Sequence, residues 1–326
     1  MDLDNKIFFI GGSGRSGTTI LRRLLGTQLG VLEIPEWRFL LDPDGLLDFS
    51  NGLEKSWTPA LYDRKLKRLK SLLCKVQSNS GFINIYRRLI YKLGLSVVLN
   101  RYLDVAYGAV DVNQLCPSFN KHVQEMTSSL VGFSYNSVWT GSHFLENNNM
   151  YFLDPIEINK IKKTIGNFYL EIILDALENS GNTFYLEKNT WTPLVFDQLL
   201  GILPGAKMIA IFRDPVDVIS SMMRQRWSPN EFEKAVYYYK GIMQQWLKVK
   251  RVIPPDSFLE ISYEQLISNS TGILRGIEEF STINIDLPDN FINNEGIGKG
   301  YVAFTNDQLK YISVNLEDEI RYHQSL

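Results

Sequence analysis

Four glycines, two serines, two threonines and one arginine are packed into nine residues near the start of the chain. They lie within FFIGGSGRSGTTIL, residues 8–21. An apolar run enters the stretch and a leucine-bearing helical pattern leaves it. A strand, a glycine-rich turn and a helix start together make an anion site, because backbone N–H groups converge there and the helix dipole adds to them. Gly11, Gly12, Gly14 and Gly17 permit close backbone approach. Ser16, Thr18 and Thr19 add hydroxyl donors, and Arg15 adds charge. The ligand this predicts is a phosphate.

Two familiar loops fit poorly. The ATP loop G-x-x-x-x-G-K-[ST] finds its glycines at Gly12 and Gly17, but Thr18 stands where the lysine belongs. A nucleotide with a single 5′-phosphate group therefore fits better than a triphosphate. The dinucleotide pattern G-x-G-x-x-G matches Gly12, Gly14 and Gly17, but Arg15 and the threonines suit direct phosphate contacts, and no acidic strand end lies about 20 residues on in a recognisable second βα unit.

A second anion element lies far along the chain in IFRDPVDVISSMM. There a strand ends at Arg213, a helix starts at Pro215, and Ser221 lies two turns in. In the plain alternative, Arg213 only pairs with Asp214 or Asp217. Two anion elements at strand ends of one sheet point to a nucleotide carrying two separate phosphates.

The elements that must position these groups follow from periodicity. Residues 6–11, 30–35, 182–188, 206–213 and 257–262 read as strands. Residues 17–29, 192–202, those after Pro215, and 230–251 read as helices. Strands alternating with helices imply a parallel sheet covered on both faces. The prediction is an α/β, P-loop-like three-layer fold, with a central parallel sheet flanked by helices and a large helical insertion. It is read as a single domain over 1–326, with a core of 1–38 and 182–326 and an insertion at about 39–181. Within the insertion, 133–152 reads as polar, aromatic loop. A formal net charge of −2 argues against nucleic acid as a partner, so any anion site is local. Two cysteines are too few for a disulfide framework. The most membrane-like window, 82–103, is broken by Arg87, Arg88 and Lys92. The expectation is a cytoplasmic protein with no membrane span.

Taken together, RSGTT (15–19) and RDPVDVISS (213–221) resemble the two donor-binding motifs of sulfotransferases that use 3′-phosphoadenosine 5′-phosphosulfate (PAPS). The first is similar to that family's 5′-phosphosulfate loop, the second to its 3′-phosphate element. LEKNTWTP (186–193) looks like the family's lysine-bearing segment. ISYEQL (261–266) looks like the strand end whose tyrosine, here Tyr263, lies near the adenine. GKGYVAFT (298–305) is similar to a late loop, placing Lys299 and Gly300 by the 3′-phosphate. The family arginine before that lysine is absent, since Gly298 stands there. The resemblance covers about 1–38 and 182–310.

It implies sulfuryl transfer from PAPS to a hydroxyl or amine of a small-molecule acceptor, with release of the desulfated product, PAP. The donor site implied is Gly14, Arg15, Ser16, Gly17, Thr18, Thr19, Arg213, Ser221, Tyr263, Lys299 and Gly300. In-line transfer needs a base, cations for the leaving phosphate, and donors for the sulfuryl oxygens. Cytosolic members place a histidine two residues after the segment lysine, and here that residue is Thr190. Tyrosylprotein-type and bacterial relatives use a glutamate after the first helix instead. On that pattern Glu36 is the general base, with Arg15 and Lys188 as the cations. Glu33 is the rival, and strand alternation turns it to the other face. An ion pair with Arg38 is the bland reading of Glu36. No metal is required, and His122, His143 and His323 are too scattered for a zinc motif. The insertion, carrying Trp57, Trp139, Phe133, Tyr135, His143, Phe144 and Tyr151, is expected to select the acceptor, with His122 as a further acceptor contact. Two other readings stay open, a P-loop kinase-like phosphotransferase and a non-catalytic nucleotide-binding protein.

Overall fold

In the computed structural model, residues 3, 5–34, 36–37, 39–76, 112–137, 149–287 and 296–326 are described. The strands among them, in chain order, are β1 (Ile7–Gly12), β2 (Val31–Ile34), β3 (Phe133–Asn136), β4 (Asn149–Phe152), β5 (Phe184–Lys188), β6 (Lys207–Phe212) and β7 (Phe258–Ser262). The helices begin with α1 (Thr18–Gly26), α2 (Leu46–Lys55), α3 (Pro59–Val76), α4 (Val112–Leu115), α5 (Phe119–Ser129), α6 (Ile158–Ser180) and α7 (Phe196–Leu200). They continue with α8 (Pro215–Met222), α9 (Phe232–Lys250), α10 (Tyr263–Ser268), α11 (Ser270–Ser281), α12 (Lys299–Ala303), α13 (Asn306–Asn315) and α14 (Glu317–Gln324).

β1 is buried along its whole length. That is why its sequence is a continuous apolar run instead of an alternation. It lies between β5 and β6, parallel to both, with Ile10 opposite Lys188 and Gly12 opposite Ile211. β2 extends the sheet beyond β5 and β7 extends it beyond β6, giving the all-parallel order β2-β5-β1-β6-β7. Leu21, Leu24 and Leu25 form one face of α1 and pack with Phe8 and Ile10 of β1 and Ile209 and Ile211 of β6. Each such side chain contributes about 1.5–3 kcal/mol on burial. The protein is thus α/β, with a central parallel sheet flanked by helices. The expected helix at 192–202 is instead a 3₁₀ turn, Thr192–Val195, followed by α7. Pro193 lies at the start of that turn, just after Thr192, where its missing N–H costs nothing.

The described residues group into two compact units. One comprises Met1–Glu36, Asn182–Leu200 and Pro204–Leu326, and the other Trp37–Gly181 and Gly201–Leu203. The first holds the sheet. The second is mainly helical, with an aromatic core in which Phe39 meets Trp37, Phe119 and Tyr169. Its 133–152 stretch departs from the expected loop, because both ends pair as the antiparallel ladder β3–β4. Phe133 lies opposite Phe152 and their rings stack at 4.7 Å. Cross-strand aromatic pairs of this kind stabilise short ladders. Trp57 packs edge-on against Phe152, at 5.7 Å. Arg38, Trp139, His143, Phe144 and the 82–103 window lie outside the described residues. Cys74 and Cys116 are free thiols. No helix among the described residues is long and apolar enough to cross a membrane.

Candidate active site at the carboxyl edge of the sheet

The loop after β1 turns through left-handed backbone at Gly14, Arg15 and Gly17. Its glycines are needed for space as well as for φ. A Cβ at Gly12 would lie 2.4 Å from both the Ile211 carbonyl oxygen and Ser16 Oγ, and one at Gly17 would lie 2.6 Å from the Tyr263 ring. Arg15, with φ 56°, has a side chain where glycine would be at ease. Such a residue costs of order 1–3 kcal/mol and persists where function requires it. Replacing Arg15 by glycine should therefore leave the Tm of the free protein unchanged or raised, measured by calorimetry, while anion binding at the loop is lost.

Because β1 and β6 are neighbours, the loop after β1 meets the segment after β6. Arg15 Nε donates to Ser221 Oγ at 2.9 Å, joining two elements 206 residues apart. Arg213 Nη1 donates to the Arg15 carbonyl at 3.4 Å. Burial, then the charges of Arg224 and Arg213, pull the Arg15 guanidinium below its ordinary range. Clustered cations of this kind await an anion. Arg224 was missed in the sequence reading, although it lies one helical turn beyond Ser221 and bonds Ser220 Oγ at 3.2 Å.

The plain expectation for Arg213 is met in part, since its Nη2 pairs with Asp217 at 3.1 Å. The same nitrogen bonds the Gly296 carbonyl, and the guanidinium lies 5.1 Å from the centre of the Tyr263 ring. Its Nε remains buried without a hydrogen-bond partner, as do Ser13 Oγ and Ser16 Oγ. Three buried donors left open around a glycine turn fit a phosphorylated ligand.

Asp217 also accepts from Gly298 N–H at 2.8 Å and Gly300 N–H at 2.6 Å, which docks the 296–303 segment on α8. Asp214 caps α8 by accepting from Val216 N–H at 2.8 Å, and Tyr301 donates to it at 3.0 Å. Lys299 is exposed on α12 and Gly300 is buried. A Cβ on Gly300 would lie 2.5 Å from the Val216 carbonyl oxygen. Gly300→Ala should thus lower stability by about 1–3 kcal/mol, read as a fall in Tm. Thr18 is buried and Thr19 exposed in the first turn of α1. Tyr263 is buried beside Gly17, and burial pushes its hydroxyl above the ordinary range despite the opposing charge of Arg213.

At the other side of β1, Glu36 follows the end of β2, and Lys188 ends β5. Lys188 Nζ donates to Glu36 Oε1 at 2.5 Å. Glu33 is bound elsewhere, paired with Arg22 of α1 at 3.1 Å. Thr190 contributes its carbonyl, which accepts from Gly12 N–H at 3.2 Å. Trp227, absent from the sequence reading, borders the Gly14 position and packs edge-on against Trp191 at 5.7 Å. No short motif carries it. His122 lies in the second unit, beside Cys116 and Asp175.

The sheet thus carries a glycine-rich loop after its first strand and a paired acid and base on the same carboxyl edge, where ligands gather in open α/β folds. The family described as "Sulfotransferase family" matches residues 117–287, more than half of the chain, and the protein belongs to it. The match includes β5, β6 and the 213–221 element. Among solved structures, the chain is similar to the sulfotransferase domain of the Synechococcus PCC 7002 olefin synthase at 17% identity and TM-score 0.44, covering 92% of this chain and 82% of that one. It is similar to the sulfotransferase domain from the curacin biosynthetic pathway at 15% identity and TM-score 0.44, covering 92% and 83%. It is also similar to sulfotransferase STF9 from Mycobacterium avium at 11% identity and TM-score 0.44, covering 99% and 77%. No curated protein matches.

Proposed function

We propose that this protein transfers a sulfuryl group from PAPS to a hydroxyl or amine of a small-molecule acceptor, with Glu36 as general base. The observation that carries the reading is the junction of the two anion elements through Arg15 and Ser221. It supports reading the two elements as one site with two groups of phosphate donors. Gly14, Arg15, Ser16, Gly17, Thr18 and Thr19 would hold the 5′ side. Arg213, Ser221, Lys299 and Gly300 would hold the 3′-phosphate, with Tyr263 beside the base. When bound, PAPS supplies a sulfuryl group already joined to a phosphate leaving group.

The chain's own residues supply the rest. Glu36 takes the acceptor's proton at a carboxylate oxygen. Lys188 now occupies Oε1 of that carboxylate. Swinging its ammonium towards the leaving phosphate would open Oε1 to the acceptor and put positive charge where negative charge develops. Arg15 shares that neutralisation, and Ser16 Oγ, buried and unpartnered, can donate to an oxygen beside it. None of these roles uses a metal. The second unit is proposed to select the acceptor.

The test is twofold. PAP should raise the Tm of the protein, and incubation with PAPS and a panel of hydroxylated and amine metabolites should yield a product heavier by one sulfuryl group. Consumption of ATP without PAPS, or no response to PAP, would overturn the donor assignment.

A further inference from the structure

A second cluster of ligating side chains lies within the helical unit and shares no residue with the proposed transfer site. Cys116 follows α4 and is fully buried, His122 stands in the first turn of α5, and Asp175 projects from α6. The Cys116 thiol donates to Asp175 Oδ2 at 2.9 Å, and the Ser118 N–H donates to the same oxygen at 2.7 Å. His122 Nε2 lies 3.8 Å from it. The three potential ligand atoms all lie within 4.8 Å of one another.

Hydrogen bonding accounts for the cysteine and the aspartate but not for the histidine. The His122 side chain is 10% exposed, yet neither ring nitrogen has a hydrogen-bond partner. A neutral imidazole carries one donor and one acceptor, and both are left open here. Leaving a buried polar group unmet costs about 1–3 kcal/mol. At 3.8 Å Asp175 is too far to meet it directly. A cation seated between the three would take the Nε2 lone pair, leaving only Nδ1–H unmet.

We propose that Cys116, His122 and Asp175 bind a zinc ion, with water as the fourth ligand, fixing the start of α5 against α6. Thiolate, imidazole and carboxylate in one site suit a borderline-soft divalent metal. Ordinary zinc bond lengths in a tetrahedron place neighbouring ligand atoms about 3.4–3.6 Å apart. The observed separations, 2.9 Å, 3.8 Å and none above 4.8 Å, bracket that span. Binding releases the thiol proton to solvent and leaves the sulfur as thiolate.

The test uses the full chain, stripped of metal with a chelator and titrated with Zn²⁺ by calorimetry. A parallel titration with Co²⁺ follows the thiolate-to-cobalt absorption band. One Zn²⁺ per chain, a Co²⁺ thiolate band and a zinc-dependent rise in Tm are expected. Cys116→Ser should abolish the band, and both Cys116→Ser and His122→Gln should weaken Zn²⁺ binding by at least about 10–100-fold. Asp175→Asn keeps an acceptor for Ser118 and serves if the other variants fail to fold. Sub-stoichiometric binding, a Co²⁺ spectrum with no thiolate band, or unchanged affinity in a folded variant would overturn the assignment.

Discussion

Glu36→Gln should cost roughly 10²–10⁴ in kcat for sulfuryl transfer, the range that a positioned general base supplies. Glutamine preserves the shape of the side chain and can still accept from Lys188 through its amide oxygen. It cannot take a proton from the acceptor. PAP affinity should therefore stay within a few-fold of the parent, measured by calorimetry, while turnover of PAPS collapses. This division separates a base from a donor-binding residue, since the latter would change both numbers. Glu33→Gln is the control. Its carboxylate already bonds Arg22, so it should lose a little stability and keep its rate. Equal rates in Glu36→Gln and the parent would remove the base assignment and leave Lys188 a structural partner only.

Arg213→Ala should weaken PAP binding by about 10–100-fold, as expected for losing charged hydrogen bonds of about 1.5–3 kcal/mol. The change should spare adenosine 5′-phosphate, which lacks the 3′-phosphate. Two effects compete in this variant. The alanine removes donors from the ligand, and it also strips a partner from Asp217, which is 2% exposed. Leaving that carboxylate uncompensated is destabilising, so the Tm of the free protein should fall as well. The nucleotide comparison distinguishes the two effects, because a general loss of structure would weaken both ligands alike. A folded variant with equal losses for both nucleotides would refute the placement of the 3′-phosphate.

The strands of the sheet were legible as short apolar runs, broken by one glutamate each in β2, β5 and β7 and continuous in the central β1 and β6. Burial on both faces demands that pattern. The glycine loop was legible because backbone geometry at Gly12 and Gly17 admits no larger side chain without collision. Local signals of that kind survive in a sequence read one window at a time. The β3–β4 ladder left a weaker trace. Its four-residue strands flank a polar stretch, and the pairing of Phe133 with Phe152 joins positions 19 apart.

Other features have no local trace at all. That Arg15 reaches Ser221, that Lys188 grips Glu36 across 152 positions, and that Asp217 anchors Gly298 and Gly300 all depend on strand order. The same is true of His122, whose spacing from other histidines argued against a metal until α5 and α6 brought it beside Cys116 and Asp175. By itself the chain's order of residues determined the elements, the anion loop and the kind of ligand it suits, since those follow from contacts within a few positions. Only the tertiary structure decided which charges meet, because a side chain's partner is set by how strands and helices pack, and packing joins residues that the sequence keeps far apart.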